Sequence, residues 1–97
     1  MLHCIAENSL TLSVVERIGA GDDVVLMSES LWVAFIGHQH NALLQALLQK
    51  SCRVFAMKDL VQAFGIDPSR LMPGVEAIDY DALVKLTEHH PQILTWC

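Results

Sequence analysis

Three cysteines are the side chains of this chain best suited to nucleophilic chemistry, and they are Cys4, Cys52 and Cys97. No two of them form a Cys-x-x-Cys pair, so their spacing indicates neither a zinc ribbon nor a disulfide framework. Free thiols in a reducing compartment fit this pattern best. Because the thiolate is the nucleophilic form of cysteine, each of the three is a candidate reactive thiol.

The three thiols differ in their sequence surroundings. Cys4 lies in a predicted strand, where a cysteine packs as a small apolar side chain. Cys52 lies close to Lys50 and Arg53, whose positive charges would favour a thiolate if the side chain were exposed. Cys97 is the last residue of the sequence and the third candidate.

The histidines His38, His40, His89 and His90 raise the question of a metal site. Residues two apart on a helix point about 200° apart around its axis, and no cysteine or acidic residue has matching spacing. We therefore expect no metal and no other cofactor. A histidine changes charge near neutral pH more readily than other side chains, so His38 and His40 are candidate interface residues.

Charge and hydrophobicity narrow the classes of function. Lys and Arg number 6 against 11 for Asp and Glu, a net charge of −5, which argues against direct nucleic-acid binding because phosphate contacts need clustered positive charge. The hydrophobic share of 53% is high for a small domain and favours burial against other subunits. Apolar runs such as Leu31–Ile36 are far shorter than the roughly 20 residues of a membrane span, so we expect a cytoplasmic protein.

Alternating strand and helix patterns predict the elements that position these side chains. The predicted strands are Leu2–Ala6, Val24–Met27, Arg53–Met57, Val75–Ile78 and Ile93–Trp96. The predicted helices follow caps at Asn8-Ser9, Ser28–Ser30, Asn41 and Asp79, with one more over Asp59–Phe64. This order predicts a single α/β domain over residues 1–97, with three layers: a mostly parallel sheet of four or five strands and helices on both faces.

In such a sheet, ligands bind beyond the carboxyl ends of the strands. The loops there begin at Glu7, Ser28, Met57 and Asp79. None of these loops contains an obvious catalytic set, so we predict no catalytic residue and no small-molecule substrate.

Three segments resemble a known family: Met1-Leu-His3, Ile78-Asp79-Tyr80, and Leu86-Thr87 through His90-Pro91 to Trp96. Together with the length and element order, they make the chain similar to the TusB/DsrH family of sulfur-relay subunits, most of all to its TusB version. The resemblance implies a DsrEFH-like fold and assembly with TusC- and TusD-like paralogues as a heterohexamer with two copies of each. It also implies a role in passing persulfide sulfur towards 2-thiolation of the tRNA wobble uridine, with DsrEFH-type sulfur oxidation as the alternative.

The resemblance further implies a noncatalytic subunit. In the family, the acceptor cysteine of the catalytic sister subunit follows its third strand, where this chain has Phe55-Ala-Met57-Lys58-Asp59. Tyr80 and Trp96 then join the two histidines as candidate interface residues, because aromatic side chains often anchor such contacts. Two other hypotheses stay open. One is an enzyme or independent carrier in which Cys4, Cys52 or Cys97 itself holds a persulfide, and the other is a stand-alone homo-oligomer with a binding role.

Overall fold

A computed structural model describes residues 1–6 and 10–96 of the chain. The strands are β1 (Leu2–Ile5), β2 (Asp23–Leu26), β3 (Arg53–Met57), β4 (Val75–Ile78) and β5 (Ile93–Trp96). The helices are α1 (Leu12–Arg17), α2 (Asn41–Gln49), α3 (Lys58–Ala63) and α4 (Tyr80–His89), with short 3-10 helices at Ser28–Ala34 and Pro68–Arg70. All five predicted strands are confirmed, although β1 and β2 each end one residue earlier than predicted.

The strands form one parallel sheet in the order β4-β3-β2-β1-β5. The chain steps outward in one direction from β1 to β4 and then returns across the sheet to β5. Because parallel crossovers are right-handed, this reversal of direction requires α4 to lie on the face opposite the earlier helices.

Burial confirms helices on both faces. On one face, strand residues such as Ile5, Leu26 and Val54 pack with α1, α2 and α3. On the other face, Cys4, Val25 and Phe55 are joined by side chains of α4: Ala82, Leu83 and Leu86. The first face therefore carries three helices, whereas α4 is the only helix on the second face within the described residues.

Two of the predicted helix caps were wrong, and a third lies outside the described residues. Thr11 caps α1 through its side chain, which accepts from the Val14 N–H, whereas Asn8 and Ser9 lie outside the described residues. Asn41 is the first residue of α2 rather than its cap. The segment predicted as a helix over 31–36 is a 3-10 helix that starts at Ser28 and has no side-chain cap.

Ser30 instead ties this 3-10 helix to the sheet. Its hydroxyl lies 2.8 Å from the carbonyl oxygen of Ile5 and 2.7 Å from that of Met27, so its one hydrogen can be shared between them. The side chain is fully buried, and these contacts satisfy it.

The predicted cap of α4 is confirmed. The carboxylate of Asp79 accepts from the Ala82 N–H at 2.8 Å, and the helix ends at His89, two residues before Pro91. No helix within the described residues is both long and apolar enough to cross a membrane.

Candidate partner interface

An open apolar groove lies between the 3-10 helix Ser28–Ala34 and the end of α3, with a volume of about 390 Å³. Aromatic and aliphatic side chains form most of its wall, and His38, Asp67 and Arg70 supply its polar groups. The full lining is Trp32, Phe35, Ile36, His38, Phe64, Gly65, Ile66, Asp67 and Arg70. We call this surface the Trp32 groove.

Three rings shape the Trp32 groove. The rings of Trp32 and Phe64 stack with 5.0 Å between centroids and 6° between planes, and Phe35 lies 5.3 Å from Trp32 at a tilt of 37°. Trp32 is nevertheless 41% exposed. A large indole that is held by two neighbours and still faces solvent is the kind of side chain that anchors protein contacts.

Asn41 holds the loop that forms one side of the Trp32 groove. Its side-chain amide donates to the carbonyl oxygens of Val33 at 2.8 Å and Phe35 at 2.7 Å, and its carbonyl oxygen accepts from the Gly37 N–H at 2.9 Å. Gly37 has a φ of +96°, which glycine adopts without strain. Asn41, which the sequence predicted as a helix cap, therefore fixes this loop through side-chain hydrogen bonds.

Backbone hydrogen bonds join the two sides of the groove. The Ile36 N–H donates to the Arg70 carbonyl at 2.9 Å, and the Met72 N–H donates to the Ala34 carbonyl at 2.8 Å. Phe35 and Leu71 also form an isolated antiparallel bridge. Residues 34–36 and 70–72 are far apart in the sequence but hydrogen-bond to each other, and these bonds fix the aromatic wall. The groove is therefore preformed.

Polar groups at the rim of the groove have defined roles. Nδ1 of His38 accepts from the His40 N–H at 3.1 Å, so the neutral ring carries its hydrogen on Nε2 as a donor. The Ser69 N–H, together with the nearby charge of Arg70, holds the pKa of Asp67 below its usual value. The rim therefore offers the His38 ring N–H as a donor, and the charges of Asp67 and Arg70, around an apolar floor.

The two described cysteines lie away from this groove and are buried. Burial raises the pKa of the Cys4 thiol. Burial also raises the pKa of Cys52, by more than the N–H groups of Gly21 and Asp22 lower it. Both thiols are therefore poor sources of an accessible thiolate, and Cys97 lies outside the described residues.

Burial raises the pKa of Cys52 by more than the positive charge of Lys50 lowers it, so Lys50 does not produce the favoured thiolate that the sequence suggested. Its ammonium group donates to the carbonyl oxygens of Val15 at 2.9 Å and Ile18 at 3.1 Å, at the end of α1. The Cys52 thiol donates to the Gly19 carbonyl at 3.4 Å. These contacts give both side chains a structural role.

The four predicted interface residues lie in three places. His38 lines the Trp32 groove and His40 lies beside it, with 5.5 Å between the two ring centroids. Tyr80 is 67% exposed in the first turn of α4. Trp96 is partly buried on β5, where its indole N–H donates to Nδ1 of His3 at 3.1 Å.

His3 connects both ends of the described chain. Because tryptophan can only donate, Nδ1 of His3 must accept, and its Nε2–H donates to the Asp22 carboxylate at 2.9 Å. The other oxygen of Asp22 lies 3.2 Å from the Met1 ammonium group. The terminal segments that carried the family resemblance thus meet in one hydrogen-bonded chain.

A second polar cluster surrounds the buried carboxylate of Asp23. Arg53 donates to it through two nitrogens at 2.7 and 2.6 Å, and His90 Nε2 lies 2.7 Å away. Burial raises the pKa of Asp23, but the hydrogen bonds and charges of Arg53 and His90 outweigh burial and leave the pKa lowered. His90-Pro91 therefore anchors the end of α4 to the sheet.

Within residues 1–6 and 10–96, no three His, Cys, Asp or Glu side chains gather as a possible metal site. Sequence reasoning missed the Trp32 groove, because it assigned the 31–36 run to a helix interior. No signal in the sequence places Trp32 in a groove, because the groove forms only when Trp32 meets Phe64, a residue distant in the chain.

The fold and its exposed groove define a class of protein: a small parallel α/β domain with a preformed apolar surface. Two solved structures share this fold. The ychN protein from E. coli superposes with a TM-score of 0.79 and 17% identity, over 98% of this chain and 97% of that one. A protein of unknown function from Methanobacterium thermoautotrophicum gives 0.76 and 16%, over 98% and 96%.

The chain belongs to the DsrH family, since the family described as DsrH like protein matches residues 5–93. Protein TusB of Erwinia tasmaniensis is 28% identical over 99% of this chain and all of the relative. Protein TusB of Photorhabdus laumondii is 29% identical over 86% of this chain and 83% of the relative. These findings agree with the family predicted from the terminal segments.

Proposed function

We propose that this chain is a noncatalytic subunit of a sulfurtransferase complex that passes persulfide sulfur towards 2-thiolation of the tRNA wobble uridine. It assembles in the cytoplasm with TusC- and TusD-like paralogues as a heterohexamer. A partner subunit supplies the cysteine that carries sulfur, and this chain holds and shields that partner.

The observation that carries the proposal is the state of the described thiols. Cys4 and Cys52 are buried, and burial raises the pKa of both. Sulfur transfer needs a thiolate that can reach a donor persulfide, which neither side chain offers. The residues directly after β3 are Lys58 and Asp59, so this chain has no thiol at that position.

The Trp32 groove supports a role in assembly. Its wall combines exposed apolar surface with a fixed shape, and both features are typical of residues that bury against another protein. We assign it to an apolar side chain of a paralogous partner subunit. Membership of the DsrH family and the relatives named TusB support that kind of partner.

A cysteine-free variant tests the proposal. Cys4→Ala, Cys52→Ala and Cys97→Ser are combined in the chain, which is then co-expressed with the proteins that co-purify with the wild type. Sulfur transfer to tRNA should stay within about twofold of wild type, because the transferred atom never resides on this chain. As the matched control, replacing the acceptor cysteine of the partner should abolish transfer.

Three results would overturn the proposal. Loss of transfer from an intact cysteine-free complex would favour the independent persulfide carrier, and mass spectrometry would then find one extra sulfur atom on a cysteine of this chain. Purification without any paralogue would favour the stand-alone homo-oligomer. An intact complex that oxidises sulfur but leaves tRNA unmodified would assign the chain to the DsrEFH-type pathway.

A further inference from the structure

Within the described residues, the outer edge of β5 carries backbone groups that no other strand pairs. In the sheet β5 is the outermost strand and pairs with β1. The N–H groups of Leu2 in β1 and of Ala6 just after it donate to the carbonyls of Gln92 and Trp96 at 3.2 and 2.8 Å. Because backbone groups alternate in direction along a strand, the N–H and C=O groups of Ile93 and Thr95 point away from β1.

The side chains of this edge leave it unprotected. Residues 93–96 read Ile-Leu-Thr-Trp and contain no charge and no proline. Ile93 is 49% exposed on the α4 face of the sheet, and Leu94 is 40% exposed on the opposite face. By contrast, the other outer strand, β4, carries the exposed charge of Glu76. Edges without such protection are templates for pairing with another strand.

We infer that β5 pairs in antiparallel fashion with β5 of a second copy of this chain, about a two-fold axis at Leu94. In this register Ile93 lies opposite Thr95 of the second copy, and Thr95 lies opposite the second Ile93. Each such pair exchanges two backbone hydrogen bonds, so four outward N–H groups and four outward C=O groups meet in a single arrangement.

The side chains fit the same register. Leu94 faces its own copy as a non-hydrogen-bonded pair, with Cα atoms about 4.5 Å apart, so two exposed leucines cover each other. On the opposite face, Ile93 packs beside Thr95 of the second copy. With no charge in the strand, nothing local opposes the pairing, and the net charge of −5 on each copy opposes it only through repulsion that salt screens.

A disulfide trap tests this register. Leu94→Cys is introduced together with Cys97→Ser into the full chain, which is then oxidised with diamide. A Cα separation of about 4.5 Å lies within the roughly 4.4–6.8 Å that a disulfide accepts. Leu12→Cys on α1 is the matched control, because Leu12 is more exposed, at 58%, and is not in the sheet. Covalent dimer should form at least about tenfold faster from Leu94→Cys than from the control, since pairing raises the effective thiol concentration.

Thr95→Pro in the Leu94→Cys background is the second variant. Proline removes the outward N–H of Thr95 and leaves the bonds from β5 to β1 in place, so the trapping rate should fall to that of Leu12→Cys. Thr95→Val keeps the N–H and should trap like the parent. Thermal unfolding of each variant, followed by circular dichroism, checks that β5 remains folded.

Three outcomes would overturn the two-fold pairing. The first is an equal rate of dimer formation for Leu94→Cys and Leu12→Cys, and the second is disulfide trapping that persists with Thr95→Pro in a folded chain. The third is a disulfide from Leu94→Cys to a different subunit in the complex with co-purifying proteins. Higher salt should speed trapping, because it screens the repulsion between the acidic copies. Pairing of β5 does not require the sulfur-relay partners. Its test is therefore independent of the test of the proposed function.

Discussion

At the scale of single residues, the hydrogen bond between Trp96 and His3 gives a structural role to two side chains in the segments that carry the family resemblance. The His3 side chain is almost completely buried, and its Nδ1 accepts from the Trp96 indole N–H. Trp96→Phe removes the donor and leaves a buried acceptor unpaired. We expect the free energy of unfolding to fall by about 1–3 kcal/mol, measured by urea denaturation.

Trp32→Phe is the matched control for this change. The indole N–H of Trp32 hydrogen-bonds to no described residue, and phenylalanine keeps the stacking surface against Phe64. Its effect should stay within about 0.5 kcal/mol. Equal losses for the two variants would contradict the role given to the Trp96 hydrogen bond.

Asp23 predicts how stability depends on pH. Burial raises its pKa, yet the hydrogen bonds from Arg53 and His90 more than compensate, so the folded pKa lies below the unfolded value of about 3.9. The carboxylate therefore contributes its full stabilisation above the unfolded pKa, and this contribution is lost as pH falls through the folded pKa.

The measurement is urea unfolding at a series of pH values from about 6 to about 2. The slope of the free energy of unfolding against pH then gives the difference in bound protons between the unfolded and folded states. Wild-type stability should decline in the acid range, and Asp23→Asn should decline less steeply, since the amide does not titrate. Some decline should remain in the variant, because the pKa of Asp22 is also lowered. Parallel curves for both proteins would show that Asp23 is not a source of acid sensitivity.

At the scale of elements, Asn41 links the start of α2 to the loop that forms the Trp32 groove. Asn41→Ala removes three hydrogen bonds to Val33, Phe35 and Gly37. We expect a loss of about 1–3 kcal/mol in the free energy of unfolding, since backbone groups lose their partners. Hydrogen exchange should also quicken at the Gly37 amide and stay unchanged at Leu47 in the core of α2.

Gln45→Ala is the control for this variant, because Gln45 is exposed on the same helix and makes no hydrogen bond through its side chain to the described residues. Its stability should stay within about 0.5 kcal/mol of wild type. If Asn41→Ala left the hydrogen-exchange rate of the Gly37 amide unchanged, Asn41 would not be the residue that fixes this loop, even if the free energy of unfolding fell.

The sheet could be predicted from the sequence because its signals are local. Val24–Leu26 and Val54–Met57 are buried on both faces, and such strands read as continuous apolar runs. Asp79 and Pro91 likewise mark α4 through rules that act within one turn. Asn41 was placed correctly at a helix start, but its side chain bonds a loop six to eight residues earlier, which no capping rule encodes.

The Trp32 groove could not be predicted in the same way. Trp32 and Phe64 are 32 positions apart and meet only because α3 packs beside the 3-10 helix. His38 was singled out as an interface residue from its chemistry alone, and it does line the groove. Its interface role stays a prediction, as do those of His40, Tyr80 and Trp96.

At the scale of the whole molecule, the two described thiols lie apart from the exposed apolar surfaces. Cys4 belongs to the core below α4 and Cys52 to the core below α1 and α2, whereas Trp32 and the β5 edge face solvent. A carrier of sulfur would need the opposite arrangement, with a thiol at the surface. The buried described thiols and the exposed apolar surfaces both fit the proposal that a partner subunit performs the chemistry.

Trp32→Ala tests this expectation at the level of assembly. The side chain is exposed in the isolated chain, so its removal should change the stability of the monomer by little more than the lost contacts with Phe35 and Phe64. In the complex, a buried tryptophan anchor is typically worth at least about 2 kcal/mol on truncation to alanine. We therefore expect the affinity for the co-purifying partner to fall by at least about 30-fold, measured by titration calorimetry.

Leu12→Ala, on α1 and away from the groove, should bind like wild type. If a folded Trp32→Ala chain kept wild-type affinity, the groove would not be the partner surface, whereas the proposal that a partner carries the sulfur would still rest on the buried thiols.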